Sequence, residues 1–143
     1  MSKQVNIAVV GATSLVGEAL IELLQEQNFP VGEFYPLDGE DEAGGRVEFD
    51  KKQQVIHDVA DFDFSRAQLV FFVASTKISQ DYIPKAAEAG CMVIDRTPAF
   101  RNVEQIPLIA NGVNSDQIKD NKVVTSPCCI SSMVTKVLKP VYD

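Results

Sequence analysis

The chain has 143 residues, 45% hydrophobic and 23% charged, which is the size of one globular domain with room for a sizeable core. That balance excludes a disordered tail, a collagen-like chain and a disulfide-stapled miniprotein. Thirteen basic against 20 acidic residues leave a net charge of −7, which argues against a general affinity for nucleic acid or an anionic membrane.

The N-terminal MSKQVNIAVV shows no cleavage-site pattern, and no apolar stretch approaches the ~20 residues that span a bilayer. Cys91, Cys128 and Cys129 make a poor disulfide framework, so a cytoplasmic setting is expected. No metal site is expected.

Val5 to Val10 is a continuous apolar run, as in a parallel strand covered on both faces. The next segment, GATSLVGEALIELLQEQ, carries a helical stripe of Leu15, Ala19, Leu20, Leu23 and Leu24, ended by Asn28 and Pro30. Residues 33–37 (EFYPL) predict a second strand and 38–46 an acidic, glycine-bearing loop. RVEFD and QQVIHDV predict short strands. QLVFFVAS (68–75) predicts a buried strand, followed by a helix from about Gln80 to Ala89 with Gly90 as its cap. MVID (92–95) is the next buried strand, then the loop RTPAFRN. PLIANGVN (107–114) predicts a short strand and turn, NSDQIKD a brief helix capped by Asn114 or Ser115, and KVVTS (122–126) a strand. A helix is expected from Cys129 to about Leu138, against its β-branched content.

Strands alternating with helices imply an α/β fold, a Rossmann-type doubly wound, mostly parallel sheet with helices on both faces. Ligands bind such sheets beyond the carboxyl ends of the strands, which directs attention to loops 11–17, 38–46, 74–79, 96–102 and 126–130.

Gly11-Ala12-Thr13-Ser14-Leu15-Val16-Gly17 stands where a dinucleotide fingerprint belongs, after the first strand and opening the first helix. A helix N-terminus offers free N–H groups and a positive dipole end to a pyrophosphate. Gly11 permits the tight turn and Gly17 the close helix–sheet approach, whereas Ser14 has a side chain at the middle glycine position. The alternative is a simple tight turn. Asp38 follows Gly17 by 21 positions, a distance at which an acid commonly accepts from the ribose hydroxyls of NAD; its alternative is a solvated acidic loop. Segment 33–63 holds 10 of the 20 acidic residues against three basic ones. A 2′-phosphate there meets repulsion unless Arg46 folds over it, so the loop at 38–42 favours NAD over NADP, or no dinucleotide at all.

Thr125-Ser126-Pro127-Cys128-Cys129-Ile130-Ser131-Ser132 puts a thiol at a strand-to-helix junction, where a lowered pKa makes a thiolate available as a nucleophile. A buried, inert cysteine is the alternative, and a vicinal disulfide switch is disfavoured by its strained geometry. His57, the chain's one histidine, reads as an exposed strand-end residue.

GATSLVGEALIELL, PKAAEAGCMVIDRTPAFR, NGVN and SPCCISSMV occur in the order and spacing of aspartate-semialdehyde dehydrogenases. The chain resembles that family's N-terminal NADP-binding domain over essentially all 143 residues, and in some departures its dehydrogenase-like paralogues. The resemblance implies that Cys129 is the nucleophile, attacking an aldehyde to form a thioacyl enzyme. It implies that Arg101, in Ala99-Phe100-Arg101, binds the substrate's phosphate or anion. It also implies a small-molecule substrate, reduction of aspartyl phosphate in amino-acid biosynthesis, and NADP as the cofactor.

The departures are that Cys128 replaces an asparagine, Ile130 a hydroxyl residue, Arg96-Thr97-Pro98 an Asn-Ser-Ser segment, and Asp41 the usual 2′-phosphate arginine. The family's histidine acid/base, a further substrate arginine and most of the homodimer interface lie in a second domain, so residues 1–143 are expected to be one domain of a larger enzyme and inactive alone. A non-catalytic paralogue with weak or no dinucleotide binding is the alternative.

Overall fold

The computed structural model describes residues 3–143. The chain runs through β1 (Val5–Val10), α1 (Leu15–Glu26), β2 (Val31–Asp38), β3 (Arg46–Phe49), β4 (Lys52–Val55) and β5 (His57–Asp58). It continues through β6 (Leu69–Phe72), α2 (Thr76–Glu88), β7 (Met92–Asp95), β8 (Val123–Thr125) and α3 (Cys129–Tyr142). Six strands form one sheet in the order β5-β2-β1-β6-β7-β8, and every pairing in it is parallel. β3 and β4 make a separate antiparallel hairpin. With the hairpin set aside, this is the strand order of a doubly wound dinucleotide fold, as expected.

β1 shows why its residues from Ile7 to Val10 are apolar. Ile7 and Val9 pack with Ile21 and Leu24 of α1, whereas Ala8 and Val10 pack with Ile83 and Ala86 of α2. Successive side chains of a strand face opposite sides, and both sides here are covered.

The α1 stripe differs from the expected one. Gly17, Ile21 and Leu24 are buried, while Leu15, Ala19 and Leu23 face out, Leu15 being 86% exposed. Gly17 fixes that rotation. A Cβ there would run into the Gly11 carbonyl, so Gly17 is the point of closest approach and the residues four and seven further on follow it inward.

α2 starts at Thr76, before the expected Gln80, because Ser75 caps it by accepting from the Ile78 N–H at 3.3 Å. QQVIHDV splits between two sheets, β4 in the hairpin and β5 beside β2. His57 heads β5 and is exposed. No strand forms over 107–114, where Leu108 makes a single bridge to Thr125. Asn114 closes that segment instead, accepting from the Ala110 N–H and donating to the Leu108 carbonyl. The brief helix is a 3-10 turn, Ser115–Ile118.

α3 runs past Leu138 to Tyr142 and turns the unexpected way. Its half-buried residues are Ser132, Thr135 and Lys139, while Ile130, Val134, Val137 and Val141 are exposed. No helix among the described residues is long and apolar enough to cross a membrane.

Candidate functional site

Because the large sheet is parallel, β1, β2, β6, β7 and β8 deliver their following loops to one edge. The chain order reverses between β1 and β6, and the Gly11–Gly17 loop sits at that switch. Gly11 has φ +98°, and a Cβ on it would lie 2.6 Å from the Ala74 nitrogen, so the position demands glycine twice over.

Ser14 does not obstruct the loop. Its hydroxyl accepts from the Gly17 N–H at 2.9 Å and donates to the Gly11 carbonyl at 2.8 Å, so the side chain folds back as the cap of α1. Its φ of −71° needs no glycine. Ala12 donates its N–H to the Leu37 carbonyl and Thr13 to the Asp38 carboxylate. Among the described residues the N–H groups of Leu15 and Val16 find no acceptor, and they are free donors at the positive end of α1. The exposed Leu15 thus belongs to the mouth of this loop and not to the core.

Asp38 ends β2 and is 8% exposed. Its Oδ2 accepts from the Thr13 hydroxyl at 2.7 Å and the Thr13 N–H at 3.1 Å, and its Oδ1 accepts from the Gly39 N–H at 3.0 Å. It is a carboxylate held against the glycine loop by Thr13 and Gly39. Glu40, Asp41, Glu42 and Arg46 beyond it are exposed.

The second half of the edge carries the thiols. Cys128 stands at the N-cap position of α3 without a side-chain capping bond, Cys129 is the first helical residue, and both are exposed. Cys128 Sγ lies 3.1 Å from Ser131 Oγ. The Ser131 hydroxyl, then nearby main-chain N–H groups and the Arg101 charge, hold the Cys128 thiol below its ordinary pKa. Arg101 donates from Nε to the Ser126 carbonyl at 3.0 Å and from Nη2 to the Arg96 carbonyl at 2.9 Å, leaving three of its five N–H groups for an anion. Cys91 is fully buried, with Sγ facing the Phe64 and Ala67 carbonyls, and desolvation pushes its pKa up; it is an inert core residue.

Two residues escaped the sequence reading. Asp95 is fully buried at the end of β7, and Thr97 nearly so. An acid ending an apolar run looks like any strand terminus, so only its burial distinguishes it.

A parallel sheet in this order, with a glycine loop and a capped helix at the switch, defines a Rossmann-type NAD(P)-binding domain. Residues 6–121 match the family described as semialdehyde dehydrogenase, NAD binding domain, and the chain belongs to that family. It is 43% identical, over 146 aligned positions, to the aspartate-semialdehyde dehydrogenase of Shewanella sp. (strain DB6705), covering 100% of this chain and 43% of that one. It superposes on aspartate semialdehyde dehydrogenase II from Vibrio cholerae with a TM-score of 0.94 at 37% identity, over 99% of this chain and 43% of the other. The NADP complex of the Candida albicans enzyme shares the fold, with a TM-score of 0.77 at 18% identity over 97% of this chain and 47% of that one. The chain spans under half the length of the curated relatives it matches.

Proposed function

We propose that the chain is the cofactor-holding domain of an aspartate-semialdehyde dehydrogenase, working with a second domain that supplies the acid/base histidine and most of a homodimer interface. The observation that carries this reading is the Gly11–Gly17 loop at the switch point, with the free Leu15 and Val16 N–H groups at the start of α1. The residues fit a dinucleotide. Gly11, Ala12, Thr13, Ser14, Leu15, Val16 and Gly17 make the pyrophosphate cradle, and Asp38 takes the adenosine ribose. A bound nicotinamide supplies hydride chemistry; the protein's share is to orient it and to present a thiol and an anion clamp.

Cys129 is the thiol that matches the family's nucleophile, attacking the aldehyde carbon to give a hemithioacetal. Arg101 holds the substrate's anionic group with its unused N–H groups. At the adenosine end Asp38 already fills the Thr13 donors with a negative charge, and Asp41 stands where an arginine is usual, so the cofactor is NAD in preference to NADP. The small-molecule substrate is an aspartyl phosphate or the corresponding semialdehyde.

Calorimetric titration of the 143-residue protein with NAD and NADP tests this reading. Saturable NAD binding that is weakened by Gly11→Val supports it, and binding of neither dinucleotide at millimolar concentration overturns it. One observation favours a second reading, a paralogue that keeps the fold without the chemistry. The N-cap position of α3 and the lowered thiol pKa fall on Cys128, next to the family's nucleophile position.

A further inference from the structure

Asp95 is 0% exposed, and the chemistry proposed above gives it no work. Its Oδ1 accepts two bonds from Thr97, one from the N–H at 2.8 Å and one from the hydroxyl at 2.8 Å. The Thr97 hydroxyl in turn accepts from the Ala99 N–H at 3.2 Å. Three successive steps therefore bind the first half of the 96–101 loop to one carboxylate oxygen. The loop's far end is Arg101, whose Nη2 returns to the Arg96 carbonyl, the residue right after Asp95.

The main chain of the same residue holds the other half of the site. The Asp95 carbonyl accepts from the Ser126 N–H at 2.8 Å, and the Ser126 carbonyl accepts from Arg101 Nε. Ser126 stands two residues before Cys128. Asp95 thus grips the arginine loop by its side chain and the cysteine segment by its backbone.

We propose that Asp95 is a positioning residue, which sets the Arg101 guanidinium against the Cys128-Cys129 segment through Thr97 and the loop that Thr97 closes. The proposal rests on the reading of Arg101 and the cysteine segment as one site.

A carboxylate kept only to stabilise a loop would satisfy both oxygens. Among the described residues Asp95 Oδ2 meets no partner in hydrogen-bond geometry, and the Ser79 hydroxyl of α2 stands beside it and favours the ionised form. Burial raises the Asp95 pKa, and Arg101 is the charged group acting on both Asp95 and Cys128. A costly buried acid is retained where its one engaged oxygen orders the loop that carries the cation.

The test is the pH profile of Cys128 alkylation by iodoacetamide, read by mass spectrometry on the folded domain. Arg101→Ala removes the cation and raises the apparent thiol pKa by about half a unit, a threefold slower reaction near neutral pH. Asp95→Ala is expected to give the same shift, with no further shift in the double variant. Asp95→Asn keeps an acceptor at Oδ1 and retains the original profile. Should Asp95→Ala fail to fold, Thr97→Val cuts the hydroxyl link alone and is expected to shift the profile in the same direction. A folded Asp95→Ala or Thr97→Val variant that melts lower but keeps the original profile, while Arg101→Ala shifts it, overturns the positioning role and leaves the site reading standing. No shift in Arg101→Ala itself overturns both.

Discussion

The Thr13 hydroxyl donates to Asp38 Oδ2 at 2.7 Å, and the Thr13 N–H donates to the same oxygen at 3.1 Å. One residue of the phosphate loop is thereby tied to the last residue of the neighbouring strand. The donors that could face an incoming anion at this corner already face a carboxylate. A ribose hydroxyl can still donate to the one lone pair left on Asp38, since a carboxylate offers about four and Thr13 and Gly39 use three. A 2′-phosphate brings only acceptors and more negative charge.

The expected consequence is a cofactor preference. NAD binds at least about tenfold more tightly than NADP, roughly 1.4 kcal/mol. Asp38→Ala with Asp41→Arg frees the Thr13 donors and adds a cation, which narrows or reverses the ratio. Calorimetric titration of both proteins with both dinucleotides measures it. Equal affinities in the original protein go against the blocked-corner account.

Gly90 after α2 and the loop's Gly11 and Gly17 differ in what they exclude, and stability measurements separate them. Gly90 has φ +92° with open space around it, so Gly90→Ala costs about 1 kcal/mol from backbone strain alone. A Cβ on Gly17 strikes the Gly11 carbonyl, and one on Gly11 strikes the main chain at Ala74. Gly17→Ala and Gly11→Ala are expected to cost about 3 kcal/mol or more, because backbone must move. Urea unfolding of the three variants gives the order.

What the sequence made legible follows the period of the burial. The apolar runs at Ile7 to Val10 and Leu69 to Phe72 are covered on both faces, as a strand inside a parallel sheet requires. The places of the glycine loop after β1 and of Asp38 at the end of β2 were readable because the fingerprint fixes spacing. Helix rotation was not. Leu15 and Leu24 are equally apolar, and only the close contact at Gly17 decides which one faces the sheet. Ser14 looked like an obstruction since its hydroxyl's bond back to Gly11 cannot be seen in a residue string. Asp95 was missed for the same reason: its significance is a set of bonds to Thr97 and Ser126, and Ser126 lies in a distant part of the chain.

Asp95 gives a pH dependence of definite sign. Burial raises its folded-state pKa above the ordinary value near 4, so the folded protein holds the proton more tightly than the unfolded chain. The group's contribution is most favourable below its unfolded pKa. It is lost as pH rises from there through the folded value. Asp95→Asn removes that loss while keeping the bonds from Thr97. The variant's stability relative to the original protein is expected to improve from pH 4 to pH 7. Urea denaturation at both pH values measures the difference, and a gap that narrows with rising pH contradicts it.

Thiol labelling orders the three cysteines. Cys91 is fully buried and stays unlabelled until the protein unfolds. Cys128 reacts first at pH 7, since the Ser131 hydroxyl lies 3.1 Å from its sulfur and favours the thiolate. Ser131→Ala slows Cys128 by about threefold while leaving Cys91 protected. Peptide mass spectrometry after timed iodoacetamide exposure reads all three sites at once. Labelling of Cys129 ahead of Cys128 goes against the effect ascribed to the Ser131 hydroxyl.

The last expectation concerns α3, whose half-buried residues are Ser132, Thr135 and Lys139 and whose apolar residues are exposed. Val137 is 72% exposed and Val141 84% exposed, so neither contributes burial to the domain's own core. Lysine has better helix propensity than valine, by a few tenths of a kcal/mol. Val137→Lys is therefore expected to leave the unfolding free energy within about 0.5 kcal/mol of the original, or slightly above it. Val9→Ala, at a position buried on β1 beneath α1, is expected to cost about 2 kcal/mol. The pair of urea curves distinguishes a helix that projects from the domain from one packed into it. A loss of 2 kcal/mol or more in Val137→Lys would show that the outward face of α3 is held against the domain in solution.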